Sequence, residues 1–166
     1  MKKRIITLGL IISLLGQGGC GYTTRPNATP GINKIYVDNF KNKVYESTLD
    51  VVLTTAVIHA FINDGFYKIV KKEDADAIIS GEIINYEASP LRYDENDNAE
   101  EYRMTITVDL QFFNLAENNL VWRERSFSGE TTYFTTGAGA KSEQAAKLDA
   151  VKDLAQRIID RTVETW

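Results

Sequence analysis

The chain has 166 residues, with 19 basic and 23 acidic side chains, one histidine and one cysteine. This length is enough for one domain with a substantial core. The net charge is −4 and no cluster of basic residues forms a stripe along the chain, which argues against nucleic acid as a partner. A single cysteine excludes an intrachain disulfide.

The N-terminus has the three parts of an export signal. Residues 2–4 are cationic, residues 5–15 are apolar, and a short glycine-rich stretch leads into Cys20. An apolar helix of this length rises only about 16 Å against roughly 30 Å of hydrocarbon, so it does not cross a membrane. Small residues directly before a cysteine resemble the signal of a bacterial lipoprotein, in which the cysteine is acylated and becomes the first mature residue. We therefore predict a signal peptide over residues 1–19 and lipidation at Cys20; the alternative is an ordinary signal peptide with an incidental cysteine.

A lipidated Cys20 sets the predicted location. It would carry N-acyl and S-diacylglycerol chains, and two or more chains anchor a protein stably. Gly21 occupies the position after the cysteine, where aspartate often marks retention in the inner membrane. We therefore expect the protein to lie at the outer membrane, with its body facing the periplasm.

Without residues 1–19 the chain keeps 16 basic against 23 acidic side chains, a net charge of −7. Residues 20–31 contain proline and glycine and are predicted as a flexible tether to a single domain over residues 32–166.

Hydrophobic periodicity predicts five strands and two helices after the tether. Alternation of apolar and polar residues marks strands most clearly over residues 102–112. The first helix has Ser47 or Thr48 as a possible cap and Gly65 as a stop, and a second amphipathic run begins at Ser142, which can cap it. The predicted strands cover residues 32–40, 66–70, 77–87, 101–115 and 120–134, the helices cover residues 46–65 and 142–165, and residues 88–100 are predicted as a loop.

The order β-α-β-β-β-β-α predicts an α+β fold. We expect a two-layer α/β sandwich in which both helices pack on one face of a mixed β-sheet. The second helix has one apolar stripe, whereas the first has two. Val51, Ile58 and Ile62 form a second stripe roughly opposite the predicted core stripe. This stripe either packs against loops and the second helix or serves as a docking surface for a partner protein.

The residues that enzymes use are scarce in this chain. His59 is the only histidine and lies on the flank of the first helix, and Cys20 is assigned to lipidation. Residues 94–105 imitate the start of a calcium loop, but Ala99 occupies the sixth position, where glycine is needed. We therefore expect no enzymatic activity, no metal and no cofactor apart from the lipid on Cys20.

Two cations lie in loops beside polar or acidic neighbours. Arg92 is in the predicted loop over residues 88–100, and Lys141 is at the start of the second helix. If the strand over residues 101–115 pairs with the next one, the two loops could meet at one end of the sheet. The alternative is that they are unrelated surface charges.

Three segments resemble the LptE family of lipopolysaccharide-assembly lipoproteins. They are "GCGY" at Cys20, "AEEYRMTITVDL" over residues 99–110 and "GAGAKSEQAAKLDAVKDLAQRI" over residues 137–158, and the likeness runs from Cys20 to about Trp166. Gln17 and the absence of a tail after the last helix differ from some members.

The resemblance implies a role in lipopolysaccharide transport. Proteins of this family act as a plug and assembly partner of the outer-membrane β-barrel LptD and contact lipopolysaccharide. Arg92 and Lys141 match positions where the family uses cations against the phosphorylated lipid A end, and Val51, Ile58 and Ile62 are the candidates for docking to the barrel. The alternative from another class is a periplasmic outer-membrane lipoprotein that is a structural or interaction component of a cell-wall or secretion complex.

Overall fold

The computed structural model describes residues 29–163 of the chain. The predicted signal peptide, Cys20 and the tether as far as residue 28 lie outside these residues, as does the predicted end of the last helix. The elements are β1 (Lys34–Val37), β2 (Lys41–Asn42), α1 (Leu49–Asp64), β3 (Lys68–Ile69), a 3₁₀ turn (Lys72–Asp74), β4 (Ala77–Tyr93), β5 (Ala99–Asn114), β6 (Asn119–Phe134) and α2 (Glu143–Val163).

One mixed sheet carries the whole arrangement, in the order β3-β1-β4-β5-β6. β1 lies between β3 and β4 and runs parallel to both, and β2 pairs with β4 farther along, also in parallel. β4, β5 and β6 form a long antiparallel meander. The predicted α+β class and element order are confirmed, with the two-residue β2 as an addition to the predicted first strand.

The core lies between the helices and one face of the sheet. Every second residue of β5 from Met104 to Phe112 is fully buried, as the alternation predicts. α2 packs mainly on β6 and β5, and α1 packs beside α2 and over β1 and β3. The opposite sheet face carries mostly polar side chains, such as the cross-strand neighbours Ser80, Gln111 and Arg123. Both helices therefore lie on one side, as predicted.

The predicted loop over residues 88–100 is wrong, because most of it is a hairpin. β4 continues to Tyr93 and pairs with β5 as far as Ala99. Pro90 lies inside this strand, although proline has no N–H to donate to a ladder. Within the described residues, the part of β4 beyond Ile83 pairs with β5 alone, so its other side is an edge of the sheet. Proline is tolerated in such an edge strand, because no neighbouring strand needs its N–H. The turn is closed by Asp94, whose carboxylate accepts the N–H groups of Asn96 and Asn98.

The predicted helix ends are partly confirmed. Gly65 ends α1 in a left-handed conformation, with φ of 73°, and donates its N–H to the Phe61 carbonyl. Ser142 caps α2, because its Oγ accepts the N–H of Ala145 at 3.2 Å. The predicted side-chain cap of α1 is wrong, because Thr48 adopts φ of 64° and makes no capping hydrogen bond with its side chain.

α2 approaches the sheet most closely at Gly129 of β6. A Cβ on this glycine would lie 2.5 Å from the Cα and Cβ atoms of Leu154. The helix therefore rests directly on the strand backbone, and only a residue without a side chain fits beneath it.

We predict that Gly129→Ala destabilises the protein by about 3 kcal/mol, because the added methyl must push α2 away from β6. Urea unfolding measures this change. Ser128→Ala is the matched control, and we expect it to change the free energy of unfolding by less than about 0.5 kcal/mol. Equal stability of the two variants would contradict the close contact.

A buried lysine joins the starts of the two helices. Lys147 of α2 is only 7% exposed, and its Nζ lies 2.5 Å from Oε1 of Glu46, in the segment before α1. The carboxylate is partly exposed. An ammonium group in such a position needs a charged partner to offset the loss of its hydration.

We predict that Glu46→Ala destabilises the protein by about 3 kcal/mol, because it leaves the Lys147 ammonium buried without its partner. The double variant Glu46→Ala/Lys147→Met should recover to within about 1 kcal/mol of the parent, since it removes the charge as well. Chemical denaturation of both variants and of Lys147→Met measures the coupling. Additive losses in the double variant would contradict the interaction.

Candidate interaction surfaces

Arg92 lies near the end of β4, in register with Glu101 of β5. Its Nε is 2.7 Å from Oε1 of Glu100, and its Nη2 is 3.6 Å from Oε2 of Glu101. The guanidinium group lies over the ring of Phe134, with Cζ 4.9 Å from the ring centroid. The Arg92 side chain is about half exposed, so an anion could reach it from solvent while the two carboxylates hold its position.

Lys141 lies at the same end of the sheet. Its backbone N–H donates to the carbonyl of Phe134 at 2.8 Å, which fixes the loop before α2. Gly137 and Gly139 give this loop two residues with positive φ, which glycine adopts without strain. Lys141 Nζ pairs with Oδ2 of Asp149 at 2.6 Å and is about half exposed. Phe134 thus contacts the guanidinium group of Arg92 through its ring and the backbone of Lys141 through its carbonyl.

A group of tyrosines toward the same end of the sheet was not identified from the sequence. Tyr102 and Tyr133 stack with ring centroids 5.7 Å apart, and the Tyr86 hydroxyl donates to Oε1 of Glu143 at 3.3 Å. Burial, followed by the carboxylate of Glu143, raises the pKa of Tyr86, so its phenol stays neutral. Strand alternation assigns each tyrosine to a face, but only the strand register brings Tyr102 opposite Tyr133.

The predicted docking stripe on α1 is only partly exposed. Val51 is 62% exposed and Ile62 is 56% exposed, which is high for apolar residues of this size. Ile58 lies between them in the sequence but packs partly against the core. The stripe therefore offers two apolar side chains to a partner rather than three.

Residues 29–163 contain no group of three histidine, cysteine, aspartate or glutamate side chains arranged to hold a metal ion. Neither helix of this region combines the length and the apolar composition that crossing a bilayer requires.

The family model for LptE, described as "Lipopolysaccharide-assembly", matches residues 32–162. The chain belongs to the LptE family. The match includes β1 through most of α2, and with them Arg92, Lys141 and the α1 stripe. No curated protein matches the chain.

Solved structures similar to this LptE-family chain share its fold at low sequence identity. The hypothetical protein CT253 from Chlamydia trachomatis is 9% identical with a TM-score of 0.59, over 80% of this chain and 96% of that one. Uncharacterized lipoprotein B from Nitrosomonas europaea is 17% identical with a TM-score of 0.51, over 80% and 83%. A point variant of PelC from Paraburkholderia phytofirmans, a dodecamer, is 10% identical with a TM-score of 0.51, over 81% and 90%. At these identities the likeness concerns the fold alone.

Proposed function

We propose that this protein is an outer-membrane lipoprotein of lipopolysaccharide transport and assembly, with a binding role rather than a catalytic one. The observation that carries the proposal is the LptE family match over residues 32–162. The anchor is the lipid on Cys20, which follows the export signal and holds the body on the periplasmic face of the outer membrane.

The proposed protein partner is the β-barrel LptD, which the protein enters as a plug and assembly aid. Such a role needs contact surface beyond the core, and the exposed stripe of α1 supplies it. Burying Val51 and Ile62 against the barrel would remove two large apolar side chains from water.

We predict that Val51→Asp/Ile62→Asp reduces copurification of LptD from detergent-solubilised envelopes by about tenfold or more, because an unpaired carboxylate would be buried at the contact. Quantitative mass spectrometry of the affinity-purified full-length protein measures this. Leu120→Asp is the matched control, since Leu120 is also an exposed apolar residue, 49% accessible, but lies on β6 away from α1. Undiminished recovery of LptD with the double variant would contradict docking through α1.

The proposed ligand is lipopolysaccharide, with Arg92 and Lys141 facing its phosphate groups. The Arg92 guanidinium lies over the Phe134 ring, the Lys141 backbone bonds to the Phe134 carbonyl, and both cationic groups are already held by carboxylates. A phosphate would join or replace these carboxylates, and such charge-assisted contacts strengthen where water is excluded, as in the lumen of a barrel.

We predict that Arg92→Glu/Lys141→Glu weakens binding of purified lipopolysaccharide by about tenfold or more, because two attractive contacts become repulsive. The melting temperature should fall by less than about 5 °C, since exposed ion pairs contribute about 1 kcal/mol or less. The control is Arg103→Glu/Lys41→Glu, which makes the same charge change at two other ion-paired positions. Equal affinity of the two double variants would remove Arg92 and Lys141 from the site.

The alternative is a structural component of a cell-wall or secretion complex. A similar fold occurs as a dodecamer in PelC, so this fold is compatible with a large homo-oligomer. Native mass spectrometry of the solubilised full-length protein separates the two. A heterodimer with a barrel supports the transport role, whereas a large homo-oligomer or recovery with cell-wall fragments supports the alternative.

A further inference from the structure

A groove lies between α1 and α2, with the exposed residues His59, Lys152 and Gln156 along its rim. Its volume is 490 Å³, within the range of about 300–1,000 Å³ that is usual for small-molecule sites. Ala56 and Ala60 of α1 and Ala155 of α2 leave it open, because their short side chains do not fill the space between the helices. Val52 and Val151 add to the apolar lining.

The length of the groove suits an extended hydrocarbon chain. The lining residues of α1 begin at Val52 and end at Asp64, which corresponds to about 18 Å along the helix. One leaflet of a bilayer, the length of a lipid acyl chain, is roughly 15 Å thick, half of the hydrocarbon core. Leu148 of α2, which is 49% exposed, continues the apolar surface at the end nearest the Lys141–Asp149 ion pair.

The polar rim of the groove favours an anionic headgroup. Lys152 lines the rim, is exposed and makes no ion pair within residues 29–163, so its ammonium group is available to an anion. His59 is exposed on the facing helix and can add a second donor. Asp64 is the one acid of the lining and lies at the last residue of α1, five positions along the helix from His59. An apolar floor with a cation beside it is complementary to an amphiphile with a negative head.

We propose that this groove binds one acyl chain of lipopolysaccharide, with an anionic group of the lipid against Lys152. The inference rests on the proposed function, which supplies the lipid, and it adds a subsite on the helical layer to the contact at Arg92 and Lys141. Methylene groups of the chain would cover Ala56, Ala60 and Ala155, and the favourable free energy comes from the apolar area removed from water.

The test uses the full-length protein in cells that carry it in their envelope. A benzophenone amino acid replaces Gln156 on the groove rim, and after irradiation the adduct is probed with an antibody against lipid A and by mass spectrometry. We expect a lipid A adduct that Ala60→Leu reduces about tenfold, because the leucine fills the groove and excludes several methylenes. Ala116→Leu is the matched control, because it makes the same substitution at an exposed residue of the turn between β5 and β6, and it should leave the adduct unchanged.

The headgroup contact has its own test in the same cells. Lys152→Glu should reduce the Gln156 adduct about threefold or more, whereas Lys43→Glu, at a lysine that also makes no ion pair within residues 29–163, should not. Equal adducts in the two variants would overturn the role of Lys152.

Several outcomes would overturn the groove itself. They are an adduct with phospholipid alone, an adduct with the protein's own lipid on Cys20, an adduct with a protein, or a lipid A adduct that Ala60→Leu does not change. A second crosslinker at Tyr93, an exposed aromatic residue next to Arg92, distinguishes the two proposals. Lipid A captured at Tyr93 but not at Gln156 removes the groove and leaves the proposed function standing, and no lipid A at either position removes both.

Discussion

The strict alternation of side chains along the β4–β5–β6 meander is the constraint on which the structure depends. One face of β5 is fully buried from Met104 to Phe112, so a slip of one residue would turn this whole set toward solvent. α2 covers this buried face of the sheet. Its position over the strands is fixed because it lies directly on the backbone of β6 at Gly129. With the register and the helix position fixed, the candidate cations and the surface of the helical layer are fixed in place as well.

The long strands also set the distance between the two ends of the molecule. Ile35 of β1 lies in register with Ala77 of β4, which faces Asn114 of β5, so the chain enters the sheet at this end. Arg92 lies near the opposite end, and the sixteen residues of β5 span about 50 Å between them. A protein tethered through residues before Thr29 would thus carry its candidate cations far from the point where the tether joins the body.

The candidate sites differ in how much of their chemistry was visible in the sequence. Alternation and helical spacing are local patterns, and they predicted the buried face of β5 and the course of α2. They left open whether Val51 and Ile62 pack or are exposed, and the structure shows both exposed. Arg92 and Lys141 were singled out as loop cations, and the sequence left open whether they meet at one end of the sheet or are unrelated. Both residues contact Phe134, Arg92 through its side chain and Lys141 through its backbone. Their carboxylate partners Glu100 and Asp149, and the stacked tyrosines toward the same end of the sheet, were not predicted, because register and loop path decide which side chains meet.

The sequence by itself determined the class of fold, the order of its elements and the polar and apolar faces of the sheet. These properties follow from residue types repeated at spacings of two or of about 3.6, which do not depend on distant parts of the chain. The family was recognised from the sequence in another way, by the resemblance of particular segments, and the family model matches residues 32–162. Only the tertiary structure decided that residues 88–93 continue β4, that Ile58 turns partly toward the core, and that Lys147 pairs with Glu46 across 101 positions. It also decided that a groove opens between α1 and α2. Such an opening depends on the distance between two helices that pack on one sheet, and no local pattern in the sequence encodes that distance.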